Sequence, residues 1–353
     1  MYTRPITKPP KHIVKNGRAV FGDFNFPPVR FDIQHLKQPF SLMPLPNFLT
    51  KLRIRSNLCF SFVAENYVGT IEILDARFFA FGEVNIWERS ENRKFSYRTV
   101  ILGRRVIPTT LILGSCKSHK KRRSLRIKWD YTKKTFTVLC KFTHDNMRPD
   151  LYISFSADTG DDLSGNLTSV VPAPIIRRCC ATHHLAVPIN GVLCTATPMS
   201  REHFEQSAGL GFFTIRRSFY NLRVYCHSIT AQGFVNGQRV QFNLYTSNND
   251  AFDPDMHNEN VLFTGTEATP LPPVTVTHPK GVTNQWIIQD TESMIDLSFF
   301  PISDTVRKKS IALLRTEYHT LYGICEGTVL NKKGEVFPLK EFSAIAKKQY
   351  LRL

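Results

Sequence analysis

Two-residue alternation of apolar and polar side chains recurs along this chain and directs it toward β structure. Leu125, Ile127 and Trp129 alternate with polar residues, and the same period recurs at 135–142 and 151–157. Successive side chains of a strand point to opposite faces of a sheet, so this period is typical of half-buried strands. Three such strands joined by short polar turns predict an antiparallel meander, and a closed meander forms a barrel with an apolar interior.

Turn signals and composition divide the chain into three regions. Residues 1–50 are Pro-rich and irregular, and we expect them to pack on the barrels. Segments with strand character from 51 to 165 predict a first, basic β-barrel-like domain, and the polar stretch 160–173 predicts a linker. A second β-barrel-like domain is predicted over 175–353, with the tail 341–350 as a short C-terminal helix. The predicted fold class is all-β, with two consecutive antiparallel β-barrel or half-barrel domains and little helix.

Two Asn-Gly dipeptides mark expected hairpins in the second half of the chain. Residues 190–191 and 236–237 each lie between apolar segments. A two-residue type I′ turn needs positive φ at both central residues, and Asn-Gly satisfies that need best. We therefore expect a tight hairpin at each dipeptide.

The net charge of +17 lies almost entirely in the first half of the chain. Residues 1–185 hold 30 Lys and Arg against 14 Asp and Glu, whereas residues 186–353 hold 16 against 15. Such an imbalance favours an acidic partner: nucleic acid, an anionic membrane surface or an acidic protein. A generally basic, solvated surface is the alternative interpretation.

The compartment is predicted from what the sequence does not contain. The eight cysteines show no Cys-x-x-Cys spacing, the first residues contain no apolar leader, and no stretch of about 18 apolar residues occurs. These features predict a cytoplasmic protein with free thiols and without a transmembrane segment, in peripheral contact with membrane at most. No phosphate-binding glycine loop follows a strand, and no nucleophile elbow occurs. We also expect no cofactor.

A cluster of basic residues occupies the predicted hairpin 117–134. It holds nine Lys and Arg, and Asp130 is its only acid. It could meet lipid headgroups or nucleic-acid phosphates, or it could be a solvated tip. No RNA-binding or helix-turn-helix signature accompanies it, which makes nucleic acid the less favoured partner. The predicted residues for binding an anionic surface are Lys117, Lys120, Lys121, Arg122, Arg123, Arg126 and Lys128.

Short motifs from one end of the chain to the other resemble those of a known family. The motifs are Arg4-Pro5-Ile6-Thr7 before Asn16-Gly17, Tyr67-Val68-Gly69, Gly233–Leu244, Asn258-Glu259-Asn260 before Val261-Leu262-Phe263 and Gly265, Trp286 with Pro301 and Asp304, His319–Gly327 and Phe342–Leu353. In this order they resemble the bacterial family called domain of unknown function 2804. That family is uncharacterised.

The resemblance implies a lipocalin-like fold with two barrel-like halves. The family is similar to lipocalin-like two-domain proteins of the carotenoid 1,2-hydratase type, and this kinship implies apolar ligands. Fold alone does not fix an activity. Members usually carry an acidic residue and a run rich in Trp, Gly and Arg just before the central hairpin. Residues 210–220 here keep an arginine and aromatics but lack the acid and the tryptophans.

Two polar clusters raise the question of metal binding. Asp253, Asp255, His257 and Glu259 recur at every second residue, so on an extended chain they would share one face and could bind a cation or act as acid and base. A solvated loop is the simpler interpretation. The run 179–184 holds two adjacent cysteines and two adjacent histidines, which cannot easily converge on one tetrahedral ion. We expect no metal site.

The sequence leaves three functions open. The favoured one is binding or carriage of an apolar, lipid-like small molecule by a protein that docks on anionic membrane. The second is an enzyme of the hydratase or isomerase type, with Glu259 as general acid and Arg216 or Tyr220 orienting the substrate. The third is a nucleic-acid or protein adaptor that uses the basic hairpin. The predicted ligand-binding residues are Arg216, Tyr220, Tyr225, Asn243, Glu259 and Asn260.

Each function predicts a different interior. A carrier should enclose a wide apolar cavity without a buried carboxylate. An enzyme should hold Glu259 inside a cavity with a raised pKa. An adaptor should have filled barrels and one continuous basic face.

Overall fold

Nearly all regular structure in this protein is β. A computed structural model describes residues 1–40, 46–75, 79–102, 106–143, 148–196, 206–219, 221–311 and 314–352. The helix α1 covers Asn47–Leu52. The strands are β1 (Ile6–Thr7), β2 (Val14–Lys15), β3 (Arg18–Ala19), β4 (Gly22–Phe24), β5 (Ile54–Ala64), β6 (Tyr67–Asp75), β7 (Phe79–Glu88), β8 (Arg93–Leu102), β9 (Leu113–Lys120), β10 (Arg123–Asp130), β11 (Thr135–Phe142), β12 (Asp150–Asp158), β13 (Gly165–Pro172), β14 (Cys179–Ala196), β15 (Gln206–Phe219), β16 (Arg223–Val235), β17 (Gln238–Ser247), β18 (Val261–Thr264), β19 (Glu267–Pro270), β20 (Thr275–Thr277), β21 (Trp286–Gln289), β22 (Ile295–Ile311), β23 (Leu314–Leu330) and β24 (Val336–Arg352).

The first sheet is a nearly closed antiparallel barrel. Its strands follow the order β8-β7-β6-β5-β15-β14-β12-β11-β10-β9. The two ends of this sheet approach each other. Thr99 Oγ1 on β8 lies 3.3 Å from Ser118 Oγ on β9, and Arg123 at the start of β10 donates to the Arg98 carbonyl on β8 at 2.7 Å. Strand β14 pairs with β13 along its first half and with β12 along its second half.

Aromatic side chains fill the interior of this barrel. The ring centroids of Phe136 and Phe213 lie 5.0 Å apart, and those of Phe60 and Phe136 lie 5.3 Å apart. Trp129 packs on Phe213 at 5.3 Å, and all four side chains are fully buried. Burial of each large apolar side chain contributes about 1.5–3 kcal/mol, so this core is a main source of stability.

The second sheet is a half-barrel. Its strands follow the order β19-β18-β17-β16-β24-β23-β22-β21-β20, and its core includes Trp286, Phe299 and Phe242. The turn at 236–237 is the predicted hairpin: Asn236 has φ 51° and Gly237 has φ 78°. The two antiparallel sheets confirm the predicted all-β fold with consecutive barrel and half-barrel parts.

The predicted linker at 160–173 is wrong over its second half, because β13 begins at Gly165. This strand pairs with β14 in the first sheet, and the chain passes to the second sheet only between Phe219 and Arg223. The polar residues of β13 are paired inside the protein: Thr168 Oγ1 lies 2.9 Å from a ring nitrogen of His183. Polarity here therefore reflects internal hydrogen bonding and not solvation. The predicted hairpin at 190–191 is also wrong, since β14 runs straight through it.

The predicted C-terminal helix over 341–350 is wrong, because these residues belong to strand β24. That strand pairs with β16 on one side and β23 on the other. Its residues 342–347 are buried on both faces. Ala344 packs in the half-barrel core, whereas Ile345 packs with Val68 and Trp87 of the first barrel. A strand covered on both faces loses the alternation that identifies a half-buried strand.

Candidate active site in a polar cleft between the two sheets

A polar cleft lies between the outer face of the barrel and the half-barrel sheet. Strands β5, β14 and β15 form one wall, and β16, β17 and β24 form the other. Its volume is about 80 Å³. Hydroxyl groups line much of it, contributed by Ser56, Ser61, Thr182, Thr214, Ser228 and Thr230.

Strand alternation explains why this wall of the barrel is polar. On β15, Phe213 and Ile215 belong to the barrel core, so Thr214 and Arg216 point outward. The half-barrel covers this outer face, so the side chains of Thr214 and Arg216 are enclosed instead of being solvated. The side-chain oxygen of Asn57 also lines the cleft, buried and without a hydrogen-bond partner among the described residues.

A buried ion pair occupies one end of the cleft. Arg216 Nη2 lies 2.8 Å from Glu259 Oε1, and the side chains are 22% and 6% exposed. Thr182 donates its hydroxyl hydrogen to the other carboxylate oxygen. Arg216 comes from the barrel and Glu259 from the loop before β18, so the pair also joins the two sheets.

The guanidinium of Arg216 is held in one orientation. Its central carbon lies 3.7 Å from the centroid of the Tyr245 ring, which is a cation–π contact. Its Nε donates to the sulfur of Cys180 at 3.1 Å. Contacts on the face and on two edges of the group fix the plane in which it presents its remaining N–H donors.

Burial sets the protonation of the titratable groups around this pair. Burial raises the pKa of Glu259, although the charge of Arg216 and the Thr182 hydroxyl oppose that rise. Burial also raises the pKa of Cys180 to about 12, so this cysteine stays a thiol. Burial lowers the pKa of His184 to about 3, so its ring is neutral at physiological pH. The carboxyl of Glu259 is therefore the group in this part of the cleft whose pKa moves toward neutrality.

A second ion pair involves a lysine that lines the cleft. Lys347 pairs with Glu72, and its Nζ donates to Cys59 Sγ at 3.1 Å. Burial would lower the pKa of Lys347, but the neighbouring Cys59 and Glu72 raise it above its ordinary value. The sequence analysis did not predict this pair. The available sign of a buried lysine was the position of Lys347 directly after the mostly apolar run 342–346.

Three of the six predicted ligand-binding residues line the cleft. Arg216, Glu259 and Asn243 all line the cleft, and Asn243 donates to Thr230 Oγ1 at 2.7 Å. Tyr225 lies away from it, with its hydroxyl 3.0 Å from a ring nitrogen of His227. Tyr220 lies outside the described residues.

Asn260 has a structural role beside the cleft. Its side chain accepts the Tyr245 backbone N–H at 2.7 Å and donates to the Pro272 carbonyl at 2.8 Å. The residue is fully buried and follows Glu259 directly. The side chain therefore fixes the loop that carries the carboxylate.

Replacing Asn260 by leucine should destabilise the protein by about 1–3 kcal/mol. The substitution leaves one buried donor and one buried acceptor without partners, and each unpaired group costs free energy. Urea unfolding followed by fluorescence would measure the change. Asn284→Leu, at an exposed position, is the matched control and should stay within about 0.5 kcal/mol of the wild type. Equal stability of both variants would contradict the assigned role.

The residues considered for metal binding do not converge. His183 lies 2.6 Å from the Tyr131 hydroxyl, whereas His184 lies 3.1 Å from Thr214 Oγ1 on the opposite face of β14. Within the described ranges, no cluster of three His, Cys, Asp or Glu side chains could hold a metal ion. The loop 252–257 turns, so Asp253 and Asp255 are exposed while Glu259 is buried. The extended face that the spacing suggested does not form.

The predicted anionic-surface residues lie on another part of the barrel. They occupy β9, β10 and the turn between them, and all seven are exposed. Strand β10 is four strands away from β15 in the barrel order. The helix described in the structure, with six residues, is too short to cross a membrane.

Comparison with known proteins assigns the chain to a family. A family model described as "Domain of unknown function (DUF2804)" matches residues 4–353, so the chain belongs to that family. No curated protein matches the chain. A crystal structure of kievitone hydratase from Nectria haematococca is similar to the chain with a TM-score of 0.44 and 11% sequence identity, covering 84% of this chain and 88% of that one.

Proposed function

We propose that, in this member of the DUF2804 family, the cleft binds a small polar molecule and Glu259 exchanges a proton with it. The observation that carries the proposal is a buried carboxyl with a raised pKa, placed in a cleft beside a fixed guanidinium. A carboxyl whose pKa moves toward neutrality is suited to give and take protons at physiological pH. The reaction class we favour is addition or removal of water, or isomerisation by proton transfer.

The roles of the two charged groups follow from their chemistry. Arg216 cannot be deprotonated, so it can only bind and stabilise negative charge on a substrate oxygen. Glu259 can donate a proton to one substrate atom and accept one from another. In hydration, the Glu259 carboxyl would protonate one carbon of a double bond while the oxygen of a water molecule bonds to the other carbon, and the proton that this water loses would return to the Glu259 carboxylate. Cys180 stays protonated and His184 stays neutral, which leaves the carboxyl as the acid or base.

The packing of the barrel favours this enzymatic function over carriage of a lipid. Phe60, Phe136 and Phe213 fill the space in which a lipid would have to lie. The cleft offers hydroxyls, the unpaired side-chain oxygen of Asn57, the Arg216–Glu259 ion pair and the Lys347 ammonium group to its occupant. Such a lining supports a hydrophilic ligand, because buried polar groups need hydrogen-bond partners.

Replacing Glu259 by glutamine should lower the turnover about a hundredfold, because the amide cannot transfer a proton. The purified protein would be incubated with a small-molecule extract of its native cells in water labelled with heavy oxygen and deuterium. Mass spectrometry would then identify the compounds that acquire either label. The isotope acquired distinguishes hydration from isomerisation.

Glu326→Gln is the matched control for this experiment. Glu326 is an exposed glutamate on β23, and its replacement should leave labelling at the wild-type rate. Labelling that is unchanged in Glu259→Gln would contradict the proposed role of the carboxyl. Absence of any labelled compound with the wild-type protein would count against proton-transfer chemistry in the cleft.

A further inference from the structure

One outer face of the barrel, formed by β9, β10 and β11 with the turn between β9 and β10, carries a large excess of positive charge. We call it the basic face. Its outward positions on these strands include one acid, Asp130 at the end of β10, whose side chain is buried and accepts from the hydroxyl and backbone N–H of Thr132. Its cations, all exposed, are Lys117, Lys120, Lys121, Arg122, Arg123, Arg126, Lys128 and Lys141.

The strand register places like charges side by side on the basic face. Lys117 lies directly opposite Arg126, and the two residues repel each other across the strands. In the described part of the chain, none of the cations of the basic face has an ion-pair partner. Exposed lysines elsewhere do: Lys333 pairs with Glu267 at 2.6 Å, and Lys308 pairs with Glu317 at 3.1 Å. A face that keeps unfavourable charge pairs is complementary to an anionic partner.

Exposed apolar side chains lie among and beside these cations. Leu139 is directly opposite Arg126 and is 37% exposed, and Leu113 on β9 is 53% exposed. On the neighbouring strands, Phe81 and Val100 face each other across β7 and β8 and are 40% and 39% exposed. The same wall of the barrel therefore combines positive charge with apolar side chains that are each more than a third exposed.

We infer that the basic face binds the surface of an anionic lipid membrane. Each Lys or Arg near such a surface contributes about 1 kcal/mol, so the eight cations suffice for reversible attachment. The leucines can enter the headgroup region, where apolar side chains gain from leaving water. Single-stranded nucleic acid would instead call for several aromatic side chains to stack on bases. The outward positions of β9, β10 and β11 carry no Phe, Tyr or Trp.

Attachment through the basic face is compatible with an open cleft. Strand β10 is four strands away from β15 in the barrel order, and β15 forms a wall of the cleft. This inference does not depend on the chemistry proposed for Glu259, because it rests on a different set of residues.

Vesicle flotation tests the inference with three proteins. Vesicles of phosphatidylcholine alone would be compared with vesicles that also contain phosphatidylserine, at low and at physiological salt. The wild-type protein should float with the anionic vesicles and stay behind with the neutral ones. The charge-reversal variant Lys117→Glu/Arg126→Glu/Lys128→Glu should bind the anionic vesicles at least about tenfold more weakly. The control Lys11→Glu/Lys280→Glu/Lys340→Glu changes the net charge equally at exposed positions elsewhere and should bind like the wild type.

A second variant, Leu113→Ser/Leu139→Ser, tests the apolar part of the face. Its binding should weaken severalfold at physiological salt, where screening reduces the contribution of the charges. A midpoint of thermal unfolding equal to that of the wild type would show that each variant is folded.

Three results would overturn the inference. If the control variant loses binding as much as the charge-reversal variant, net charge alone attracts the protein to the vesicles. If the wild-type protein does not float with the anionic vesicles, the basic face is not a lipid site. A labelled RNA oligonucleotide is the competing ligand. If it binds more tightly than the anionic vesicles at physiological salt, and only the charge-reversal variant on the basic face loses it, the partner is nucleic acid and the lipid assignment is wrong.

Discussion

Replacing Arg216 by leucine should lower the free energy of unfolding by about 3–5 kcal/mol at neutral pH. The substitution removes the cation that lies 2.8 Å from Glu259 and leaves a carboxyl that is 6% exposed without its charge partner. A buried carboxylate in that position must either keep an uncompensated charge or take up a proton. Both alternatives cost free energy relative to the intact pair.

The loss should depend on pH in a definite direction. Burial already raises the pKa of Glu259 in the folded protein, and removing Arg216 raises it further, because that cation lowers it. A carboxyl with a raised pKa in the folded state favours folding at low pH, and this contribution is lost as the pH rises through the folded-state pKa. The deficit of Arg216→Leu should therefore be smallest below the folded-state pKa of Glu259 in the wild type. It should grow by up to about 1.4 kcal/mol per pH unit between that pKa and the higher pKa of Glu259 in the variant.

Urea unfolding at several pH values would measure both effects. The double variant Arg216→Leu/Glu259→Leu removes both charges and should regain most of the lost stability. A deficit that is constant with pH, or a double variant no more stable than Arg216→Leu, would show that the two side chains are not energetically coupled.

Replacing the next residue, Arg217, by leucine should destabilise the protein by a similar 3–5 kcal/mol, through a different mechanism. Its side chain donates to Ser56 Oγ at 2.8 Å and to the Phe31 carbonyl at 2.6 Å. It also donates to the carbonyls of Ile107 and Pro108, both at 3.2 Å. The substitution would leave buried acceptors unpaired and would release the N-terminal segment from the barrel.

The exposed Arg177 provides the matched control for this prediction. Arg177→Leu should change the stability by no more than about 0.5 kcal/mol, and limited proteolysis should cut the region around Phe31 faster only in Arg217→Leu. If the two variants have equal stability and equal cleavage rates, Arg217 does not anchor the segment.

The sequence predicted the fold well wherever one face of a strand is packed and the other is solvated. Leu125, Ile127 and Trp129 are buried and the residues between them are mostly exposed, as their alternation indicates. Prediction failed where tertiary contacts cover both faces of a strand. Strand β24 pairs with a neighbouring strand on each side, and its two faces pack on the half-barrel core and on the barrel. Its mostly apolar run 342–346 therefore lacks alternation and resembles a helix in sequence.

The candidate site was only partly predictable, because its two walls come from distant parts of the chain. Family resemblance singled out Glu259, and the aromatic and basic run 210–220 singled out Arg216. Thr182 and Tyr245 carry no signal of their own, since a threonine and a tyrosine on strands are ordinary residues. Lys347 pairs with Glu72 across the interface of the two sheets, and only the packing of the sheets brings these two together.

The ionisation of Glu259 is the most direct test of the proposed site. Carbon NMR of protein labelled at the glutamate side-chain carboxyls would follow its titration, with Glu259→Gln identifying the signal. The proposed function predicts a midpoint above the ordinary glutamate value of about 4.3, because burial outweighs the attraction of Arg216. A midpoint at or below that value would mean that Glu259 is a permanently ionised anchor between the sheets, and it would contradict a role in proton transfer.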